Sequence, residues 1–268
     1  MSAWRSPLAP DANAGLVALV TGGGTGIGRA TALELARTGA RVAICGRRPE
    51  PLEAVRAEIE TLGGECLAVP ADVREEEQAE AFVEAALARF GQVDVLVNNA
   101  GGQFTAPAEE ISPKGWRAVN RLAVDAAWNL TRLVATRSMI PNRRGLVVFI
   151  SFSPRRGTPG MAHASAARAA VESLASTLAL EWSRYGVRTV CLAAGNILTE
   201  GLESYGPGTV AEWERAVPLG RLGRPEEVAA VIAFLASAGG AYVTGTTIAV
   251  DGGVDAWGLA SLPPPPER

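Results

Sequence analysis

The residues with the most chemical content lie in two short runs. Val20–Gly28 reads VTGGGTGIG and joins a β-rich apolar stretch to a helical pattern. Glycines at such a junction let the backbone turn tightly and approach a pyrophosphate, whose charge then rests at a helix N-terminus. Alone, the run is also consistent with a flexible turn. The second run, NNAG at 98–101, follows a later strand pattern, where the strand order of a doubly wound sheet reverses and a crevice opens. The end of the second strand then refines the ligand. A carboxylate at that point accepts a ribose 2′-hydroxyl and repels a 2′-phosphate, but this sequence has Gly46 followed by Arg47 and Arg48. Guanidinium groups take phosphate in bidentate fashion, so NADP(H) is the expected cofactor. The missing acid carries more of that argument than Arg48, whose charge is equally at home in solvent.

These residues need a frame that brings strand ends together. Strand patterns fall at Leu16–Val20, Arg41–Cys45, Glu65–Val69, Val93–Val97, Gly145–Ser151, Val187–Ala193 and Thr246–Val250, with helical patterns near 26–38, 49–62, 74–90, 112–138, 160–184 and 225–238. Such alternation predicts βαβ units with right-handed crossovers. The expected fold is therefore α/β: one Rossmann-type doubly wound parallel sheet of about seven strands flanked by helices. The domain is expected over 15–258, after a loose leader at 1–14 and before a Pro-rich tail at 259–268. The longest excursion, 198–222, is punctuated by Gly201, Gly206, Gly208 and Gly220 and is expected to be a lid or substrate loop.

Composition narrows the function classes. The chain has 268 residues, 48% hydrophobic, which suffices for one large core. A net charge of −3 argues against a phosphate-driven nucleic-acid binder. No apolar run reaches the ~18 residues of a membrane span, and the N-terminus has no secretory pattern, so a cytoplasmic protein is expected. Cys45, Cys66 and Cys191 lie in apolar runs and read as buried free thiols. With His163 as the sole histidine, no metal site is expected.

The order TGGGTGIG, then Asp72-Val73, then NNAG, then Asp251-Gly252-Gly253 resembles the short-chain dehydrogenase/reductase family over essentially residues 14–256. The resemblance implies a cofactor loop of Gly22, Gly24, Thr25, Gly26, Ile27 and Gly28, with Gly22, Gly26 and Gly28 cradling the diphosphate. Asp72 and Val73 would hold the adenine. Asn98, Asn99, Ala100 and Gly101 would line the cleft, and Ile197 and Thr199 would meet the nicotinamide carboxamide, although Ala194 replaces the usual proline. It also implies a homotetramer or dimer built through the helices at 112–138 and 160–184 and the last strand.

The family's usual proton machinery, an asparagine, a serine and Tyr-x-x-x-Lys, does not carry over. The sole lysine, Lys114, has Glu110 four residues before it. Matching Gly160–Val171 to the family's helix puts Ala164 at the tyrosine and Arg168 at the lysine; counting from Trp116 puts Ala123 at the asparagine. Ser151 keeps the serine's spacing to Ala164, whereas strand alignment puts Phe152 there. Arg168 keeps a charge for ribose or enolate but cannot act as a general acid; with 24 arginines and one lysine, the exchange also fits compositional drift. His163 is a candidate for proton transfer or for packing at a helix start. Ser151 and Ser153 are donors to a carbonyl or strand-end caps. Tyr205 either reaches in from the lid or packs within it.

A narrower resemblance bears on the reaction. NNAGGQF (98–104), SPKGW (112–116), HASAARAAV (163–171) and SYG (204–206) are similar to the peroxisomal trans-2-enoyl-CoA reductases, and ALEWSRYGVR (179–188) to the 2,4-dienoyl-CoA reductases. The polar residues of those enzymes fall here on Ser153, Asp125 and Glu172, so none of them is preserved. The resemblance implies NADPH-dependent reduction of a C=C bond conjugated to a thioester, with an acyl-CoA or similar small molecule as substrate. Three alternatives stay open: a ketone or imine reductase with a rebuilt proton relay, a non-redox isomerase or cyclase, and a nucleotide-sensing protein.

Overall fold

The computed structural model describes residues 4–153, 157–200 and 209–256. β1 (Val17–Thr21) is apolar on both sides because both sides are covered. Val17 and Leu19 enter one core with Phe82, Leu130 and Val171, while Ala18 and Val20 enter the other with Leu35, Ile59 and Ile232. That alternation is the period-two geometry of a strand buried between two helix layers. Seven strands follow the same logic: β2 (Arg41–Gly46), β3 (Cys66–Pro70), β4 (Val95–Asn98), β5 (Gly145–Phe152), β6 (Val187–Ala194) and β7 (Thr247–Val250) join β1 in a parallel sheet of order β3-β2-β1-β4-β5-β6-β7. The order reverses between β1 and β4, and that switch point is where a crevice must open.

One face of the sheet carries α1 (Gly26–Arg37), α2 (Pro49–Thr61) and α8 (Pro225–Ala236). The other carries α3 (Glu76–Phe90), α4 (Pro113–Asn120), α5 (Ala126–Val134) and α6 (Ala162–Trp182). The pattern at 112–138 is one rod. Ser112 starts it by accepting a hydrogen bond from the Gly115 N–H, with Pro113 at the first helical position. It then passes through two π-turns, Arg121–Asp125 and Ala135–Met139, that a smooth helical periodicity does not announce.

Two expectations change. The segment expected as a loose leader is tied down from Trp4 onward. Trp4 Nε1 and the Ser6 hydroxyl donate to the carboxylate of Glu34, which is buried in α1. The Asn13 amide reaches Thr38 Oγ1 and the Ala233 carbonyl. A buried carboxylate needs such donors, and nothing in the apolar pattern of 1–14 advertises the pairing. The excursion at 198–222 contains a helix, α7 (Thr209–Ala216). Among the described residues no helix is long and apolar enough to cross a membrane.

Candidate active site

The two glycine-bearing runs meet at the switch point. Thr21, at the end of β1, accepts hydrogen bonds through Oγ1 from the N–H groups of Asn99 (3.0 Å) and Ala100 (2.8 Å). The Asn99 side chain donates back to the carbonyls of Thr21 (2.8 Å) and Gly22 (3.3 Å). Close approach dictates the glycines. Gly22 has φ +64°, and a Cβ there would stand 3.0 Å from the Asn99 amide nitrogen. A Cβ on Gly28 would come within 2.1 Å of the Gly22 carbonyl oxygen. Thr25 precedes α1 without capping it through its side chain, and the first turn holds no acid. First-turn N–H groups of a helix carry partial positive charge, so this cradle fits the pyrophosphate of a dinucleotide.

The adenosine end is set by the neighbouring strand ends. Gly46 and Pro70 are the last register pair of β2 and β3, and the Ala71 N–H donates to the Gly46 carbonyl. Arg47 and Asp72 therefore leave the sheet from adjacent strand ends. Arg47 and Arg48 are exposed, and Val73 turns into the core. Arg74 hydrogen bonds hold the Asp72 carboxyl below the usual carboxylate range, and the nearby Arg47 charge acts in the same direction.

Across the cleft, Arg168 of α6 donates through Nη1 to the Ile150 carbonyl (2.6 Å). Its Nη2 lies 2.6 Å from where a Cβ on Gly101 would stand, so the guanidinium fills the space that this glycine leaves open. Burial lowers the pKa of Arg168 from its ordinary value, yet a guanidinium of this kind stays charged. Where the nicotinamide carboxamide is expected, Ile197 is buried and bridges to Gly223, while the Thr199 methyl faces Gly26, 3.2 Å from where its Cβ would stand.

Next to Arg168 the chemistry turns apolar. Val119, Ala123, Ala164 and Ala167 form a buried cluster with Val124, Phe152 and Met161 packed against it. Phe152 is the last residue of β5. Ser151 is buried and donates to a Glu172 carboxylate oxygen (2.7 Å); Ser153 donates to Asp251 (2.5 Å). His163 is fully buried, its ring 4.2 Å from that of Phe104, and among the described residues neither ring nitrogen has a hydrogen-bond partner. Burial lowers its pKa below histidine's usual value, so the ring is neutral at pH 7.

A family profile described as enoyl-(acyl carrier protein) reductase matches residues 22–255. The chain belongs to the short-chain dehydrogenase/reductase family. A probable 2,4-dienoyl-CoA reductase of Bacillus subtilis (strain 168) is 38% identical over 240 residues, covering 88% of this chain and 94% of the relative. A 3-oxoacyl-[acyl-carrier-protein] reductase of a Synechocystis strain is also 38% identical, over 241 residues, with 89% and 96% covered. Among solved structures, a putative NAD(P)-dependent gluconate 5-dehydrogenase from Beutenbergia cavernae, with NADP bound at low occupancy, superposes with a TM-score of 0.86 at 39% identity. That match covers 93% of this chain and all of the other.

Within this short-chain dehydrogenase/reductase the expected cofactor residues divide by role. Gly22, Gly28, Asn99, Ala100 and Gly101 meet at the switch point, whereas the Asn98 side chain turns away to donate to Thr131 of α5 (2.9 Å). Among the described residues the expected proton carriers Ser151, Ser153 and His163 do not bond to one another. Ser151 and Ser153 are each committed to a carboxylate, His163 is sealed beside Phe104, and Tyr205 lies outside the described residues. Sequence reasoning did not single out Thr21, the second residue of the glycine run, although its hydroxyl joins both motifs. Burial pushes the thiols of Cys45, Cys66 and Cys191 up to about 12, which leaves them inert at neutral pH.

Proposed function

We propose that this chain is an NADPH-dependent reductase of an activated C=C bond, carried by a 2-enoyl or 2,4-dienoyl thioester. The observation that carries the reading is the apolar cluster of Ala123, Phe152 and Ala164 beside Arg168. A ketone needs a proton donor on the oxygen attached to the very carbon that accepts hydride. A conjugated alkene puts carbon there instead and delivers the charge to a thioester oxygen farther along. Alanines and a phenylalanine suit the second substrate and leave the first without a donor. The names of relatives such as the Bacillus subtilis protein point the same way.

When bound, the nicotinamide would supply a hydride to the terminal electrophilic carbon of the conjugated system, Cβ of a 2-enoyl or Cδ of a 2,4-dienoyl thioester. The glycine cradle and the α1 N-terminus hold the diphosphate, and Arg47, next to an acid-free Gly46, holds the 2′-phosphate. Arg168 orients the nicotinamide ribose and adds positive charge where the enolate forms. The proton for Cα comes from Tyr205 or from water; the neutral, sealed His163 packs the loop bearing Phe104. The enzyme is read as cytoplasmic, supported by its three free thiols, and as a homotetramer or dimer.

A second reading, reduction of a β-keto thioester through a rebuilt relay, is favoured by the similarity to the Synechocystis 3-oxoacyl reductase. The two separate in one assay: NADPH oxidation with 2-enoyl-CoA and 2,4-dienoyl-CoA substrates beside matched β-ketoacyl-CoA thioesters. Oxidation with the unsaturated set alone is expected. Oxidation with the β-keto set alone would replace the first reading by the second, and silence on both would leave a non-redox reaction.

A further inference from the structure

The parallel ends of β2 and β3 put an acid beside the expected 2′-phosphate site. Asp72 is one residue past Ala71, whose N–H is bonded to the Gly46 carbonyl, and the Arg47 charge reaches its carboxyl. Its side chain is 18% exposed, so solvent screens it poorly. Left alone, that carboxylate would draw the Arg47 guanidinium onto itself and repel a phosphate dianion. It is not left alone. Arg74 grips both oxygens, through Nε to Oδ1 (2.9 Å) and Oδ2 (3.1 Å) and through Nη2 to Oδ2, while its backbone N–H bonds Oδ1 as well (3.1 Å). Arg74 is itself fixed, because Arg121 of the α4–α5 rod donates to its carbonyl and to Glu75. The Asp72 N–H is held by Gln78 of α3 (2.9 Å).

We infer that Arg74 is a specificity-determining positioning residue: by occupying Asp72 it keeps Arg47 free for the cofactor's 2′-phosphate. It touches the phosphate only through this effect on Arg47, and the inference rests on the NADPH reading above. Removing Arg74 releases Asp72 to pair with Arg47, which weakens NADPH and leaves NADH, with no 2′-phosphate, nearly untouched. Removing the acid as well releases Arg47 again.

Dissociation constants for NADPH and NADH, measured on the full chain by cofactor fluorescence without any substrate, test this. The wild type is expected to prefer NADPH. Arg74→Gln raises the NADPH constant about tenfold, with NADH within about twofold, and Arg74→Lys retains most of the preference. The double variant Asp72→Asn with Arg74→Gln returns the NADPH/NADH ratio to near its wild-type value, even if both cofactors bind less tightly through loss of an adenine contact. NADH binding serves as the folding control for each variant. A preserved ratio in Arg74→Gln, or a double variant that does not recover, overturns the inference alone. Equal binding of both cofactors by the wild type overturns it together with the 2′-phosphate reading.

Discussion

Gly46 ends β2 in ordinary backbone, and a Cβ there would meet only Leu52 Cδ2, at 3.6 Å. The position therefore has room for the acid it lacks. Gly46→Asp would place a carboxylate where a ribose 2′-hydroxyl is read, next to Arg47. The expected outcome is an NADPH dissociation constant raised at least about tenfold, with NADH unchanged or tighter. Equal loss of both cofactors would place the 2′-phosphate elsewhere. His163 makes the opposite kind of prediction. It is buried, neutral and without a hydrogen-bond partner among the described residues. Its folded pKa lies below its unfolded one, so below about pH 6.5 the unfolded chain binds a proton that the folded chain refuses. That contribution to stability is complete at pH 7.5 and shrinks as the pH falls through the unfolded value. His163→Phe is expected to flatten the decline in Tm between pH 7.5 and 5.5 relative to wild type. His163→Gln is expected to leave turnover within about threefold, where loss of a general acid costs ~100-fold or more.

Element junctions make up the cradle, and there the cost of a single methyl is steric. Gly28 lies inside α1 yet touches the backbone of the β1–α1 turn, so Gly28→Ala must push the Gly22 carbonyl out of place. Overpacking of this kind costs about 1–3 kcal/mol, and the displaced carbonyl also releases Asn99. Gly28→Ala is expected to lower Tm and to abolish detectable binding of both cofactors, which distinguishes it from the selective loss at Gly46. The same junction explains what the sequence made legible. Strands buried on both faces read as continuous apolar runs, and the glycine run and NNAG stand at strand ends, so the fold and the cradle could be read directly. The choice between Ser151 and Phe152 stayed open in the sequence: spacing along the chain favours Ser151 and strand alignment favours Phe152. What separates them is tertiary contact, since Phe152 packs against the Ala164 and Ala167 cluster while Ser151 bonds to Glu172 farther along the same helix. The π-turns were hidden because an inserted residue leaves the apolar stripe nearly in phase. The docked leader was hidden because its bonds to Glu34 join residues with |i−j| of about 30 through polar atoms.

At the scale of the molecule, three large apolar side chains stand exposed on the helices expected to meet other subunits. Trp116 and Trp128 on the α4–α5 rod are 42% and 38% exposed, and Leu180 on α6 is 81% exposed. A groove of about 960 Å³ between the α3 N-terminus and the rod has Arg74, Trp116, Arg117, Arg121 and Asp125 among its lining residues. Large apolar side chains at 40% exposure along one rod are costly to hydrate, and a second copy packed antiparallel would bury both tryptophans twice over through a two-fold contact. The expected solution state is a tetramer or dimer, checked by light scattering on the purified full chain at micromolar concentration. Trp128→Glu puts a charge into that contact and is expected to shift the mass toward the monomer. The cradle is built within one chain from β1, α1 and β4, so the dissociated variant should still bind NADPH within about threefold of wild type. A monomeric wild type would remove the assembly reading. A dissociated variant that no longer binds cofactor would mean that subunit contact, acting through the rod and Arg121, holds the Arg74–Asp72 pair in place.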